Sequence, residues 1–269
     1  MMAKKPKLVV IITSFDLDAL RVSVPPLRRF RRGFTLVIHN DNPERKLTRR
    51  DVYCMGWRGP LHIINSDNNL GECESRIHAL EYIRDNEIPA DWIMFIDDDD
   101  VLIDVGVPNV GDDVFAVIQN TMTLSANHVD MFRINPSWAN GCEYGKTGPR
   151  FEITGTIIRA NILIEFANIA RAVMPQIRGI VDGLKYRLPW GGIMWNMVDT
   201  FVRTCHVDMS PIYMNRTNYI AIKLGRAPIK YGLKNLSGAV AATTADAANK
   251  KICEIIEFAA AQNMVAYAQ

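Results

Sequence analysis

Short apolar runs alternate with longer amphipathic stretches over the first hundred residues of the chain. Four of the runs are typical of buried strands: Leu8–Ile12, Phe34–Ile38, Leu61–Ile64 and Trp92–Ile96. Before the fourth run, Ile77, Leu80 and Ile83 recur at helical spacing within residues 72–85. Strands separated by helical segments of this length predict a parallel α/β sheet with right-handed crossover connections.

Polar residues follow each of these four runs directly. They are Thr13-Ser14-Phe15-Asp16, His39-Asn40-Asp41, Asn65-Ser66-Asp67-Asn68-Asn69 and Asp97-Asp98-Asp99-Asp100. A polar strand end also caps helices, so one such end alone indicates little. Because parallel α/β sheets bind ligands beyond the carboxyl ends of their strands, the four ends together favour a site at that edge.

The remaining elements follow a less regular pattern. We expect strands at Val129–Ile134, Phe151–Arg159 and Pro211–Met214, and helices near Trp195–Cys205 and within residues 238–262. A helix after the first strand is expected to break at Pro25-Pro26, since proline removes a helical hydrogen bond. The predicted fold class is α/β, a mostly parallel central sheet flanked by helices, with a mixed second half and a C-terminal helix.

Composition indicates the cellular compartment in which the protein is expected, but it does not indicate a binding partner. The 269 residues are 48% hydrophobic with a formal net charge of +2, which is ordinary for a globular protein. The five cysteines form no Cys-x-x-Cys pair, so a reducing compartment is expected. The apolar run Leu8–Ile12 is too short for a signal peptide or a membrane span. We therefore expect a cytoplasmic protein, with peripheral contact to a membrane left open.

Residues 21–50 carry a local excess of positive charge. Nine Lys and Arg residues stand there against Asp41 and Glu44. A basic cluster of this kind fits a phosphate-bearing partner, either nucleic acid or a lipid head group. A solvated helix face and loop explains it as well and is the favoured interpretation.

The acidic run Asp97–Asp100 is the strongest chemical signal in the sequence. Like charges about 4 Å apart repel by about 4 kcal/mol at an effective dielectric of about 20. The repulsion is relieved if some carboxyls stay protonated, if the run points into water, or if a cation binds. Carboxylate oxygens prefer hard cations, and the buried approach Trp92–Ile96 favours a bound Mg²⁺ or Mn²⁺, with Asp97 and Asp99 as ligands.

The ordered set of strand ends resembles the donor half of glycosyltransferase family 2. The similarity rests on Leu8–Asp16, Leu36–Asp41, Asn69-Leu70-Gly71 with Arg76, and Phe95–Leu102, which contains the family's "DxDD" signature. The resemblance implies the Rossmann-like GT-A fold and transfer from a nucleotide-diphosphate sugar, with UDP as the expected nucleotide and a hexosyl or N-acetylhexosaminyl group transferred. It covers residues 7–103 and is thin afterwards. It divides one domain into a nucleotide-sugar half (1–103), an acceptor half (104–235) and a helical tail (236–269).

The resemblance also assigns roles to single residues. Donor-binding positions would be Thr13, Ser14, Asp16, His39, Asp41, Asn69, Arg76, Asp97 and Asp98, with Arg76 beside the diphosphate. His39-Asn40 stands where the family usually has an acidic residue, which leaves the base identity open. The metal ligands would be Asp97 and Asp99. Apart from the resemblance, His206 lies two helical turns after Asp199 and is a candidate third ligand, although a core or surface histidine is the favoured interpretation.

In the acceptor half, the nearest match to the family's catalytic base is Asp199. The family has an acidic pair at this point and the chain has one acid, so inverting transfer, retaining transfer and binding without catalysis all stay open. Trp190 and Trp195 are candidates for stacking on a sugar ring, with core packing equally expected. Tyr213, Arg216 and Asn218 weakly resemble the family's basic loop over the diphosphate. The acceptor is a glycan, a lipid or, less favoured, a nucleic acid.

Three alternatives remain from other classes. Asp97-x-Asp99-x-Val101 fits the motif of haloacid-dehalogenase-like phosphatases, but three strands precede it and Asp112-Asp113 follows too early to be the second acidic pair. A nucleotidyltransferase would want a Gly-rich basic loop after the first strand, which Thr13–Leu20 lacks. A nucleotide-sugar-binding protein without catalysis would be favoured if Asp199 lay far from the metal.

Overall fold

A computed structural model describes the chain from residue 6 to residue 267, apart from residues 32, 108, 126–131, 135–152, 183, 185–187, 189 and 224–238. The described residues form one nine-stranded sheet with helices on both faces. The strands are β1 Leu8–Ser14, β2 Phe34–Asn40, β3 Leu61–Asn65, β4 Trp92–Asp97, β5 Val101–Leu102, β6 Val114–Ser125, β7 Phe132–Ile134, β8 Ile157–Arg159 and β9 Ser210–Lys223. The helices are α1 Leu20–Leu27, α2 Arg49–Cys54, α3 Glu72–Asp85, α4 Ala160–Asp182, α5 Trp190–Cys205 and α6 Ala239–Tyr267.

The four predicted strands form the parallel half of the sheet, in the order β3-β2-β1-β4, which confirms the predicted α/β class. Strand β1 lies in the middle of this half and pairs with β2 on one side and β4 on the other. Their carboxyl ends therefore meet at one edge, which we call the acidic edge because Asp97–Asp100 lies there. The strand before that run is buried along its length, as its apolar sequence predicted.

The other half of the sheet is mixed and differs in detail from the expectation. Strand β8 runs antiparallel to β4 and is limited to Ile157–Arg159 of the segment expected to be a strand, because a turn at Gly155 (φ 77°) precedes it. The short strand expected at Pro211–Met214 is the start of β9, which continues to Lys223. Strand β6 was not predicted. Residues 129–131 of another expected strand lie outside the described residues.

The two faces of the sheet are covered by different helices, and the alternation of β1 shows why. Val9 and Ile11 face the layer of α3, α4, α5 and α6, whereas Leu8, Val10 and Ile12 face α1 and α2. A strand buried on both faces reads as a continuous apolar run, as Leu8–Ile12 does. In α3, Ile77, Leu80 and Ile83 are buried as the spacing predicted, and α6 adds Ala248, Ile252 and Ile256 to the same core.

Two helices differ from the sequence prediction. The break expected at Pro25-Pro26 is wrong, because α1 includes both prolines and ends at Leu27 before a 3₁₀ turn over Arg28–Phe30. Helix α4, with 23 residues, was not predicted. No helix within the described ranges is both long and apolar enough to cross a membrane.

Candidate functional site

The acidic edge brings together the ends of β1 and β4. Thr13 is the register partner of Asp97 in β4 and of His39 in β2, so the polar ends of three neighbouring strands lie side by side. Asp16 is exposed just beyond β1 and acts electrostatically on Asp98. The predicted residues Thr13, Ser14, Asp16, Asp97 and Asp98 are therefore neighbours.

Ser14 links the two strand ends directly. Its hydroxyl donates to a carboxylate oxygen of Asp98 at 2.6 Å, across 84 residues of sequence. Burial raises the pKa of Asp98 to about 8; the hydrogen bond from Ser14 lowers it, and the nearby charges of Asp99, Asp97 and Asp16 raise it. The raised pKa favours the protonated form of Asp98, which would relieve part of the repulsion predicted for adjacent carboxylates.

This protonation predicts a pH dependence of stability. Between about pH 4 and pH 8 the folded protein keeps a proton on Asp98 that the unfolded chain, with its ordinary pKa of 3.8, has released. The free energy of unfolding of the metal-free protein should therefore fall as the pH rises through this window. Asp98→Asn, which can still accept from Ser14, should reduce this fall. Urea unfolding of both proteins at pH 5, 7 and 9 measures the free energy of unfolding at each pH. If this free energy changes with pH equally in both proteins, the prediction is contradicted.

Arg76 does not reach the surface, although it was expected beside a diphosphate. Its side chain is 0% exposed, donates to Asp97 at 2.7 Å and pairs with Glu72 at 3.1 Å. The guanidinium also lies over the ring of Phe95, 5.8 Å from its centroid. Arg76 therefore holds the Asp97 carboxylate from the protein interior, on the side away from solvent. The partner Glu72 was missed, although its i, i+4 spacing to Arg76 was visible in the sequence.

The carboxylates at this edge differ in exposure. Asp99 is exposed, Asp97 is 33% exposed and Asp100 is 2% exposed. Within the described residues, no group of three or more His, Cys, Asp or Glu side chains forms a metal cage. Mg²⁺ is commonly bound by one or two carboxylates of the protein, while waters and substrate phosphates fill its other coordination positions. The carboxylates of Asp97 and Asp99 therefore have the chemistry that a hard cation requires when its other ligands are waters and phosphate oxygens.

Two further predicted donor residues are turned inward. Asp41 accepts from the backbone N–H groups of Leu70 and Gly71, each at 2.8 Å, and so holds the loop before α3. His39 is fully buried, with its Nε2 3.0 Å from His78 and 3.3 Å from Ser66. Burial, reinforced by His78, lowers the pKa of His39 to about 4. The structure assigns both residues to the framework of the site, whereas Asn69 is exposed on the loop itself.

The conformation of Gly71 gives a prediction about this loop. Gly71 has φ 79° and ψ 164°, a region that is open to glycine alone, and no atom stands within 4 Å of an added Cβ. Gly71→Ala should cost about 1–3 kcal/mol of stability from the backbone alone. Gly179→Ala, equally open but inside α4, should gain about 0.5–1 kcal/mol. Urea unfolding compares the two, and an equal shift for both would contradict the explanation.

Asp199 does not lie at the acidic edge. Register places Phe115 of β6 level with Trp92 of β4, and Trp195 stacks on Phe115 with ring centroids 6.0 Å apart. Trp92 is five residues before Asp97, and five strand residues at 3.3 Å each span roughly 16 Å. Trp195 contacts the sheet at the level of Trp92, and Asp199 lies one helical turn further along α5. Asp199 pairs with Arg203 at 2.9 Å, and burial raises its pKa to about 6. The structure thus separates it from the acidic run.

His206 lies at the opposite edge as well. It follows α5, stands shortly before Ser210, and its Nε2 is 3.0 Å from Glu165 near the start of α4. Ser210 is level with Val114, at the amino end of β6. The expectation of His206 as a third metal ligand is corrected by this placement, because the length of the sheet lies between it and Asp99.

Tyr213, Arg216 and Asn218 lie within strand β9 and not in a loop. Arg216 pairs with Asp104, and the buried Asn218 donates to the carbonyl of Gly155 at 2.9 Å. Trp195 is 2% exposed and belongs to the core. Trp190 is half-buried at the first turn of α5, close to the acidic edge.

Solved structures resemble this arrangement of strands and helices. A fragment of S. aureus TarS spanning residues 1–349 matches with a TM-score of 0.52 and 12% sequence identity, over 80% of this chain and 60% of the fragment. The chain has the GT-A fold. The same TarS fragment in complex with UDP matches equally well, with a TM-score of 0.52 and 12% identity over the same shares. This chain thus spans less than two thirds of the TarS fragment that it resembles.

The GT-A fold is not accompanied by a detectable sequence relationship. No protein-family model matches the chain, and no curated protein matches it either. The motifs that predicted the GT-A fold are therefore short ones, located at the ends of the strands. The features that the motifs did not reveal are the Ser14–Asp98 hydrogen bond and the position of Trp190, which depend on contacts between distant segments, and the partner Glu72, which is local to α3.

Proposed function

We propose that the protein is a metal-dependent glycosyltransferase that takes a sugar from a nucleoside-diphosphate donor, with UDP as the expected nucleotide. The observation that carries this proposal is the acidic edge of a GT-A sheet, where Asp97 and the exposed Asp99 follow the central strand β4 beside Thr13. Support for UDP comes from the similar TarS fold, which is known in complex with UDP. A hexosyl or N-acetylhexosaminyl group is the proposed transferred sugar.

The chain's own residues have distinct tasks in this proposal. Arg76 holds Asp97 in a fixed orientation, and Asp99 faces the solvent from which the donor arrives. A dication bound by these carboxylates would neutralise the charge that develops on the departing diphosphate. In the transfer, an acceptor hydroxyl oxygen bonds to the anomeric carbon, the bond from that carbon to the diphosphate breaks, and the hydroxyl proton passes to water. Thr13, Asp16 and Asn69 are the proposed contacts to the nucleoside.

The test is thermal unfolding with UDP-, GDP- and CDP-sugars, each with and without Mn²⁺. A ligand at about 100 times its dissociation constant adds about 2.7 kcal/mol to the free energy of unfolding. Stabilisation by one nucleotide sugar that requires Mn²⁺ is expected. If no nucleotide stabilises the protein under either condition, the proposal is refuted.

One observation favours a second candidate, a nucleotide-sugar-binding protein without catalysis. Asp199 is remote from the acidic edge, and the first turn of α5, which contains Gly191 and Gly192, has no acidic residue. UDP release from UDP-glucose and UDP-N-acetylglucosamine distinguishes the two candidates. Metal-dependent binding without any release would favour the binding protein.

A further inference from the structure

A cavity of about 510 Å³ opens beside the acidic edge, on the face of the sheet covered by α3, α4 and α5. Its walls come from the loop before α3, the first turn of α3, the last turns of α4 and the start of α5. The residues that define it are Asn68, Asn69, Glu72, Ile177, Val181 and Trp190. Of the proposed nucleoside contacts, Asn69 borders this space, whereas Thr13 and Asp16 are not part of its lining.

A short chain of contacts joins the cavity to the acidic edge. Glu72 lines the cavity and pairs with Arg76 at 3.1 Å, and Arg76 pairs with Asp97 at 2.7 Å. Met194, one helical turn after Trp190, has its sulfur 4.0 Å from the same guanidinium. The cavity is therefore one buried side chain away from the proposed metal ligands, and its occupant is separate from the diphosphate that the metal would bind.

The walls of the cavity have two different characters. One wall is apolar, formed by Ile177, Val181 and the half-buried ring of Trp190. The other is polar, with the exposed amides of Asn68 and Asn69 and the carboxylate of Glu72. A sugar ring has the matching character, because its C–H face packs on an aromatic ring while its hydroxyl groups bond amides and carboxylates.

The charge of the lining favours a neutral ligand over a phosphorylated one. Among its described lining residues, the cavity has the carboxylates of Glu72, Glu74 and Asp182 and the guanidinium of Arg178. Arg178 is already held by Glu74, with its Nε 2.9 Å from the carboxylate. Glu72 is paired with Arg76, and Glu74 is paired with Arg171 as well. A phosphate group would therefore have to compete with a carboxylate for the guanidinium of Arg178.

We propose that this cavity binds the acceptor, a neutral saccharide, with Trp190 stacked on one of its rings. The proposal rests on the proposed function, since it gives the second substrate of the same site. Arg76 bridges Glu72 and Asp97, which are both partly exposed, so an acceptor hydroxyl held beside Glu72 would stand next to the donor at the acidic edge.

The test uses saturation-transfer NMR with lactose, maltose and N,N′-diacetylchitobiose, in the presence of UDP and Mn²⁺. Wild-type protein should bind at least one of these saccharides. Trp190→Ala should weaken the binding of that saccharide about tenfold. Trp190→Phe keeps an aromatic face and should weaken the binding less. Phe258→Ala removes an aromatic ring that is 68% exposed on α6 and should have no effect. The thermal response of each variant to UDP and Mn²⁺ reports that its fold is intact.

The outcomes separate the two proposals. If UDP binds but no saccharide signal depends on Trp190, the cavity is not the acceptor site and the proposed function stands. If Trp190→Ala weakens UDP-sugars but not UDP, the cavity belongs to the sugar of the donor, and the acceptor proposal is overturned. If wild-type protein responds to no nucleotide, the proposed function fails and this proposal fails with it.

Discussion

Asp99→Asn is expected to abolish the metal-dependent part of nucleotide binding and to lower sugar transfer by about a thousandfold, the scale of losing one key electrostatic contact in a transition state. Asp99 is the exposed carboxylate of the acidic run, whereas Asp98 accepts a hydrogen bond from Ser14 and Asp100 is buried. An amide carries no charge and binds hard cations less well than a carboxylate. Thermal unfolding with UDP and Mn²⁺ and the rate of UDP release measure the two effects.

Asp208→Asn is the matched control for this substitution. Asp208 is exposed in the turn before β9, at the opposite edge of the sheet, and its replacement removes the same charge. The control should keep the response to UDP and Mn²⁺. If Asp99→Asn keeps it too, Asp99 does not bind the metal and the assignment of the acidic edge is refuted.

The parallel half of the fold was predictable because its signals are local. Each of β1 to β4 is an apolar run with polar residues directly after it, and the helical spacing of Ile77, Leu80 and Ile83 was confirmed in α3. A strand that is buried on both faces needs apolar residues at every position, so the run is visible in the sequence without knowledge of its partners. The position of the acidic edge follows from the same pattern, since parallel strands end together.

The second half was harder because its structure depends on long-range contacts. Strand β6 pairs with β8 and β9, and only these partners distinguish its residues from a helix or loop. The expected role of Asp199 came from the resemblance to the family's acidic pair, and that of His206 came from its spacing to Asp199. Neither argument could show that α5 runs away from the acidic edge. The direction of α5 is seen only in the structure, from the stacking of Trp195 on Phe115.

The distinction between surface and interior positions was also invisible in the sequence. His39 and Arg76 are polar residues at the expected positions, yet both are fully buried and bonded to other side chains. A motif indicates that a residue type is needed near a site, but it does not indicate whether the side chain faces the ligand or supports a neighbour. For Arg76 the second role has a measurable consequence.

Arg76→Ala is expected to lower the free energy of unfolding by about 3–5 kcal/mol, the usual effect of breaking a buried ion pair by removing one partner. The substitution leaves Glu72 and Asp97, which are 23% and 33% exposed, facing each other without the cation between them. It also leaves a cavity beside Phe95 and Met194. Urea unfolding at pH 7 measures the loss.

Arg84→Ala provides the comparison within the same helix. Arg84 pairs with Asp85 and donates to Asn168 of α4, but it is 41% exposed at the surface, so its loss should cost about 1 kcal/mol. Arg76→Lys should fall between the two, because an ammonium keeps the charge but lacks the planar fork that reaches both carboxylates. If Arg76→Ala and Arg84→Ala destabilise the protein equally, Arg76 does not hold the acidic edge together. If Arg76→Ala loses nucleotide binding but keeps its stability, the guanidinium acts on the ligand and not on Asp97.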